Sequence, residues 1–335
     1  MEKMERKKAN SLDVAKLAGV SQASVSRAFS PGSSISPANK EKILKAAKQL
    51  NYVPNAMARA LISNQSNCIA IVQPIASNPY FYSKVLQELL NLLQAENQRV
   101  VLFSQDDKGV DDILPIIDQY QVDGVIMASA NIDAKLINQY VNRGIEFSFI
   151  NRHVPNVYAS SICTDNKQAA KDIVKYLANK GHKTFACIAG DGKASTAIDR
   201  VAGYREQIES MGLCDLGVIY DAFSVEGGVN GFNKLKEQGK ALPDAIVCGN
   251  DEVAIGVINA ITQSTKLIVG KDIAITGFDD IDAASWPTYG LTTMRQPLKA
   301  LCELTVTDLL SRIRNQDTEP SQKSIPGELV IRQSA

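Results

Sequence analysis

Gln22, Ala23, Ser26 and Arg27 lie at i, i+1, i+4 and i+5 of a short helical pattern near the amino terminus. On an α-helix that spacing gathers them on one face. Their chemistry suits reading a duplex rather than catalysing a reaction. A Gln amide pairs with adenine, and an Arg guanidinium pairs with a guanine edge or a phosphate. A second group is scattered further along. Phe81 stands in "NPYFY", Asp165 in "TDN", Arg200 in "STAIDRVAGYRE", Asn250 in "GNDE" and Asp279 in "GFDD". Each follows an apolar run of strand length. Polar and charged groups just beyond strand ends suit the gripping of a small polar molecule. Arg200 and Asp279 carry the strongest case, because a charged side chain facing a cleft requires a partner.

Other chemistry finds no support. No nucleophile, base and orienting group stand together, no Gly-rich phosphate loop follows a strand, and no metal-ligand spacing occurs. Neither catalytic residues nor a cofactor nor a metal is therefore expected. The cysteines at 68, 163, 187, 214, 248 and 302 form no C-x-x-C pair, so reduced thiols are expected rather than disulfides. No apolar run reaches membrane-spanning length, and "MEKMERKKAN" has no hydrophobic region after it. These features predict a cytoplasmic protein with no membrane partner.

The base-reading residues need a small scaffold. Ser11 reads as a helix N-cap with Asp13 in the first turn, and Val14, Leu17 and Ala18 share an inner face. Gly19 supplies a turn and Ser21 caps a second helix, whose Val25, Ala28 and Phe29 point inward. A third helix opens at Ser36-Pro37. It buries Ile43, Ala46, Ala47 and Leu50 and leaves Lys40, Lys42, Lys45 and Lys48 outside. This is a helix-turn-helix pattern that presents the second helix to a major groove. Next, "YVPNAMARALIS" offers Asn55 as the cap of a helix of about seven residues, shorter than the roughly 12–15 that stand alone in water. It is expected to form only when docked.

Charge follows the same division. Residues 1–62 hold eleven Lys/Arg against four Asp/Glu, which leaves 25 basic and 32 acidic residues in the remainder of a formally neutral chain of 335. A basic head on an acidic body is the footprint of a protein that meets a polyanion at one end. From Cys68 onward, apolar runs of strand length alternate with helical patterns. That predicts two mostly parallel, doubly wound sheets with helices on both faces, forming two lobes with a cleft between them.

At "LDVAKLAGVSQASVSRAFS", "ISPANKEKILKAAKQLNYVPN" and "NAMARAL" the sequence resembles the LacI family of transcriptional repressors, and the likeness covers nearly the whole chain. The resemblance implies a helix-turn-helix head over 1–53 and a hinge helix and linker over 54–66. An effector-binding and dimerisation core of periplasmic-binding-protein type then fills 67–335. Its N-subdomain would take about 67–165 and 295–325, and its C-subdomain about 166–294 and 326–335. The implied DNA-facing set is Ser11, Leu12, Ser21, Gln22, Ala23, Ser26 and Arg27, with Asn55, Ala58, Arg59 and Leu61 in the hinge. Leu61 would act as a minor-groove wedge. Phe81, Asp165, Arg200, Phe223, Asn250 and Asp279 would bind the effector, the two Phe rings offering an aromatic face to a sugar. The expected partners are operator DNA, a second copy of the chain, and a carbohydrate that controls operator affinity. A purine or nucleoside effector is the alternative. A solute-binding protein or a doubly wound enzyme is less consistent with the basic head.

Overall fold

The structure is a computed structural model. It describes residues 9–29, 34–53, 66–74, 78–105, 112–128, 133–239, 241–315 and 317–335. The expected hinge residues Asn55, Ala58, Arg59 and Leu61 lie outside the described residues. The chain divides into two compact units, Met1–Asn67 and Cys68–Ala335.

The first unit holds α1 (Ser11–Ala18), α2 (Gln22–Ala28) and α3 (Pro37–Gln49). Asn10 rather than Ser11 caps α1. Its side chain accepts from the Leu12 and Asp13 amides while the Asp13 carboxylate accepts from the Asn10 N–H. Only the residue before the helix can close this reciprocal box. Gly19 takes the left-handed conformation (φ 65°) that ends α1. Ser21 caps α2 and Ser36 caps α3, with Pro37 at the first helical position. Val14, Ala15, Val25, Ala28, Ile43, Ala46 and Ala47 form the core, edged by Phe29 and Tyr52. Leu17 is half exposed, because the buried stripe of α1 runs through Val14, Ala15 and Ala18 and leaves Leu17 beside it.

The second unit contains two six-stranded sheets. The first comprises β1 (Cys68–Pro74), β2 (Arg99–Gln105), β3 (Gly124–Met127), β4 (Glu146–Ile150), β5 (Ser160–Thr164) and β11 (Gln322–Ile325), in the order β11-β5-β4-β3-β1-β2. The second comprises β6 (Thr184–Ala189), β7 (Cys214–Tyr220), β8 (Ala245–Cys248), β9 (Ala274–Asp279), β10 (Thr292–Arg295) and β12 (Glu328–Val330), in the order β12-β10-β9-β8-β6-β7. All neighbours run parallel except β10 and β12. Strands such as "GVIM" and "AIVC" are buried throughout, as a parallel sheet covered on both faces requires. The covering helices are α4 (Pro79–Ala95), α5 (Leu114–Gln119), α6 (Ala134–Val141), α7 (Asn166–Asn179), α8 (Ser195–Ser210), α9 (Val225–Glu237), α10 (Asp251–Ser264) and α11 (Leu298–Arg314).

The chain passes between the sheets after β5, after β10 and between β11 and β12. Helix α11 follows the last strand of the second sheet's parallel run, yet it packs on α4 and β4 of the first. The fully buried Arg312 anchors it by donating to Glu146, to the Phe147 carbonyl and to Ser148 Oγ, with Asp308 one turn back.

Candidate functional site

In the first unit, Gln22, Ala23 and Arg27 are exposed and Ser26 is half-buried, on the face of α2 opposite Val25 and Ala28. Gln22 Nε2 donates to Ser11 Oγ at 2.9 Å. A side chain suited to base edges is thus held against the start of α1. Ser21 spends its hydroxyl on the Ser24 amide, and Leu12 is exposed.

In the second unit, the carboxyl ends of strands from both sheets converge on one small, partly open pocket. Asn78, Tyr82, Asn151 and Arg152 line it from the first sheet's side. Thr196, Arg200, Phe223 and Asp279 line it from the second's. The sides are tied across the gap: Asn78 Nδ2 donates to Asp279 Oδ2 at 2.6 Å, and Arg152 Nη1 donates to Thr196 Oγ1 at 2.8 Å. Nearby, the His153 amide donates to Ser195 Oγ at 3.1 Å.

Asp279 ends β9 with φ 122°. Gln296 Nε2 donates to its other oxygen at 2.5 Å, and Gln296 Oε1 accepts from Thr164 Oγ1 at 2.7 Å. Arg200 rises from the first turns of α8. Its Nε donates to Asn166 Oδ1 at 2.8 Å, its Nη1 to the Gly249 carbonyl at 2.6 Å, and its guanidinium lies 3.5 Å from the centre of the Phe278 ring. Arg200 and Asp279 approach to 3.9 Å. Burial pulls Arg200 down to about 10, with Asp279 opposing. Burial pushes Asp279 up, against Arg200 and the two amides. Behind it, Asp251 accepts from Thr293 Oγ1 and the Ile281 amide. Burial, then the charge of Asp279, lifts both Asp251 and Glu252 to about 7.

Of the six residues expected at this site, the cavity gathers Arg200, Phe223 and Asp279. The other three lie elsewhere. Phe81 points into the core and meets Tyr82 edge-on, with ring centres 5.3 Å apart. The next residue along α4 is the one on the cavity wall. Asp165 and Asn250 do not line it either. Each stands between a strand and a helix and caps that helix, through the Gln168 and Val253 amides respectively. Orphan amides at a helix start claim the nearest side-chain oxygen. The cap of α10 is therefore Asn250, and Asp251 is the first helical residue, fully buried. Asp280 pairs with Arg295 and Arg332 at 2.7 Å each.

The residues that sequence reasoning missed are Asn78, Tyr82, Asn151, Arg152 and Thr196. Asn78 and Asn151 both adopt left-handed conformations, with φ 53° and 54°. Asn after an apolar run is a signal for this conformation, although periodicity does not show it.

Comparison with known proteins agrees with both units. Residues 12–55 match the family described as bacterial regulatory proteins, lacI family, and residues 174–335 match a periplasmic binding protein-like domain. The ribose operon repressor of Escherichia coli strain K12 is 31% identical, over 96% of this chain and 98% of its own length. The probable HTH-type transcriptional repressor ExuR of Bacillus subtilis strain 168 is 30% identical, over 96% and 97%. Among solved structures, the lac repressor dimer bound to operator and the anti-inducer ONPF superimposes with a TM-score of 0.84 at 25% identity, covering 98% of this chain and 99% of that one. A complex of the transcriptional regulator CelR with cellobiose gives 0.73 at 25% identity, covering 98% and 100%. A helix-turn-helix unit, a two-sheet unit with a polar cleft, and full-length relatives of this similarity place the chain in the lacI family of bacterial regulatory proteins, as a DNA-binding regulator of transcription.

Proposed function

We propose that the chain represses transcription as a cytoplasmic homodimer without catalytic activity, and that a carbohydrate bound in the cleft controls its affinity for operator DNA. One observation carries the effector reading. Four buried polar atoms around the cavity have no partner among the described residues: Asn78 Oδ1, Tyr82 OH, Asn151 Oδ1 and Arg152 Nε. Buried polar groups are ordinarily hydrogen-bonded, so a ligand rich in hydroxyls is the natural complement. The Phe223 ring beside them suits the apolar face of a sugar. The relatives point the same way, since one represses a ribose operon and another is seen with cellobiose.

In this reading Ser11, Leu12, Ser21, Gln22, Ala23, Ser26 and Arg27 face the operator. Asn55, Ala58, Arg59 and Leu61, which lie outside the described residues, are the hinge contacts to the operator in this reading. The cavity residues, with Asn250 and Asp165 holding the helices behind them, sense the sugar. In this reading the boundaries 1–53, 54–66 and 67–335 separate these tasks, with one sheet in each subdomain of the core. A ligand that prefers one arrangement of the lobes shifts the spacing of paired hinges. A coupling of about 1–3 kcal/mol would make a useful switch.

The test is fluorescence anisotropy of labelled duplexes selected from random sequence, with and without a sugar panel. A salt-sensitive affinity that changes when a sugar is added is expected. Failure to bind any duplex would end the regulatory reading. Duplex binding indifferent to every sugar, alongside a response to nucleobases, would replace the carbohydrate by a purine.

A further inference from the structure

The charge of the cavity narrows the ligand class. Two guanidinium groups line the cavity, Arg152 and Arg200, against one carboxylate, Asp279. Arg200 is neutralised locally, with Asp279 at 3.9 Å and its remaining contacts on Asn166 and Gly249. Arg152 has no such neighbour. It is only 5% exposed, and its Nη1 donates to the Asn151 carbonyl and to Thr196 Oγ1, both neutral, at 2.8 Å. Its Nε has no partner, and it makes no ion pair among the described residues. Asp279 feels the charge of Arg152 as well as that of Arg200, but it lies nearer Arg200 and its oxygens also accept from the Asn78 and Gln296 amides, so one carboxylate serves two guanidinium groups. At the rim, Asp199 faces His153 at 3.6 Å. Behind the wall, Asp251 and Glu252 are both lifted to about 7 by burial, which reduces their negative charge at neutral pH.

An Arg keeps its proton in a protein, and two buried guanidinium groups that share one carboxylate leave a positive charge uncompensated, which is strongly unfavourable. We propose that the cleft takes a monosaccharide carrying one anionic group, a carboxylate or a phosphate, whose oxygens meet Arg152 while its hydroxyls donate to Asn78 Oδ1 and Asn151 Oδ1. The apolar ring face lies against Phe223, and the Tyr82 hydroxyl donates to the anion or to a ring substituent. A planar guanidinium matches either oxyanion through paired N–H donors. This inference rests on the carbohydrate reading and specifies its charge.

The experiment uses the full chain and sugars matched as neutral and anionic members of one skeleton: D-glucose with D-glucuronate and D-gluconate, D-galactose with D-galacturonate, and D-ribose with D-ribose 5-phosphate. Acetate and inorganic phosphate serve as anions without the sugar. Thermal unfolding finds the binders and calorimetry measures them. At least one anionic sugar is expected to bind tenfold or more tightly than its neutral counterpart, with an affinity that weakens as NaCl rises. Arg152→Gln should remove most of that preference and Arg152→Lys should keep part of it. If Arg152→Gln does not fold, the salt dependence and the matched pairs on the unaltered chain still decide.

A neutral sugar binding as tightly as its acid or phosphate overturns the proposal and leaves the carbohydrate reading standing. Inorganic phosphate or acetate matching the sugar acids also overturns it, as a bare anion site. Binding of no sugar of either charge removes both readings together.

Discussion

Asn78 and Asp279 stand 201 residues apart in the chain and meet across the cleft, the amide of one donating to the carboxylate of the other at 2.6 Å. Both hold positive φ, 53° and 122°. Asn78 precedes α4 without capping it; its side chain reaches the opposite lobe instead. Non-Gly residues in such conformations each cost about 1–3 kcal/mol and persist where the surroundings hold them. The contact therefore makes the carboxylate a junction, gripped by one lobe through Asn78 and by the crossing segment through Gln296. A ligand hydroxyl that displaces the Asn78 amide changes how the lobes are tied.

Asp279→Ala is accordingly expected to remove the effector response while operator binding survives. Hydrogen bonds to a charged group contribute about 1.5–3 kcal/mol, so the ligand Kd should rise about 10–100-fold. Calorimetry with the best sugar of the panel checks this. An unchanged affinity would take Asp279 out of the binding site.

Stability should depend on pH through the carboxylates behind the cavity. Glu252 is lifted to about 7 by burial and by the charge of Asp279, with the Tyr80 amide opposing, whereas an unfolded Glu titrates near about 4.3. The folded state thus holds its proton more tightly than the unfolded one. Its contribution favours folding at low pH and is lost as pH rises from about 4 to about 7. Asp251, also at about 7, adds in the same direction. Glu252→Gln keeps an acceptor for the Tyr80 amide and removes the titration. Its melting temperature should fall less steeply than that of the unaltered chain over this range. Parallel profiles would show that Glu252 ionises as freely folded as unfolded.

Gly190 follows β6 exactly where Phe223 closes over the backbone. A Cβ there would meet ring carbons of Phe223 at 2.1–2.3 Å. Gly190→Ala must push the ring aside, and overpacking of this kind costs about 1–3 kcal/mol. Loss of sugar affinity together with a lower melting temperature is the expected result. Retained affinity would mean that the ring is not a stacking platform.

How far the sequence exposed these features depended on the range of the signal. Element types, the two-sheet architecture and the basic head arise from local periodicity and charge, and they were legible. What local pattern does not carry is the competition for a polar side chain. Asn250 and Asp165 look like ligand contacts at strand ends, yet a helix starts one residue later and takes their oxygens. Phe81 and Tyr82 are adjacent aromatics, and only the rotation of α4 against its sheet decides which reaches the cavity. Arg152 follows the last apolar strand residues as any loop cation does. Its significance comes from burial against Thr196, 44 residues away.

Arg27 offers the sharpest test of the first unit, because α2 separates its duties by face. Val25 and Ala28 are buried in the three-helix core, whereas Arg27 is exposed beside Gln22 and Ala23. Truncating it removes none of the buried side chains of that core. If it meets a phosphate, Arg27→Ala weakens specific and random duplexes alike and lowers the slope of log affinity against log salt by about one. If it meets a guanine edge, the loss falls on the preferred operator, by about 1–3 kcal/mol, and tolerance at that base pair widens. Anisotropy titrations on both kinds of duplex at several salt concentrations separate the two. Sugar binding measured on the same variant should be unchanged. A parallel loss of sugar affinity would show instead that the substitution damages the fold.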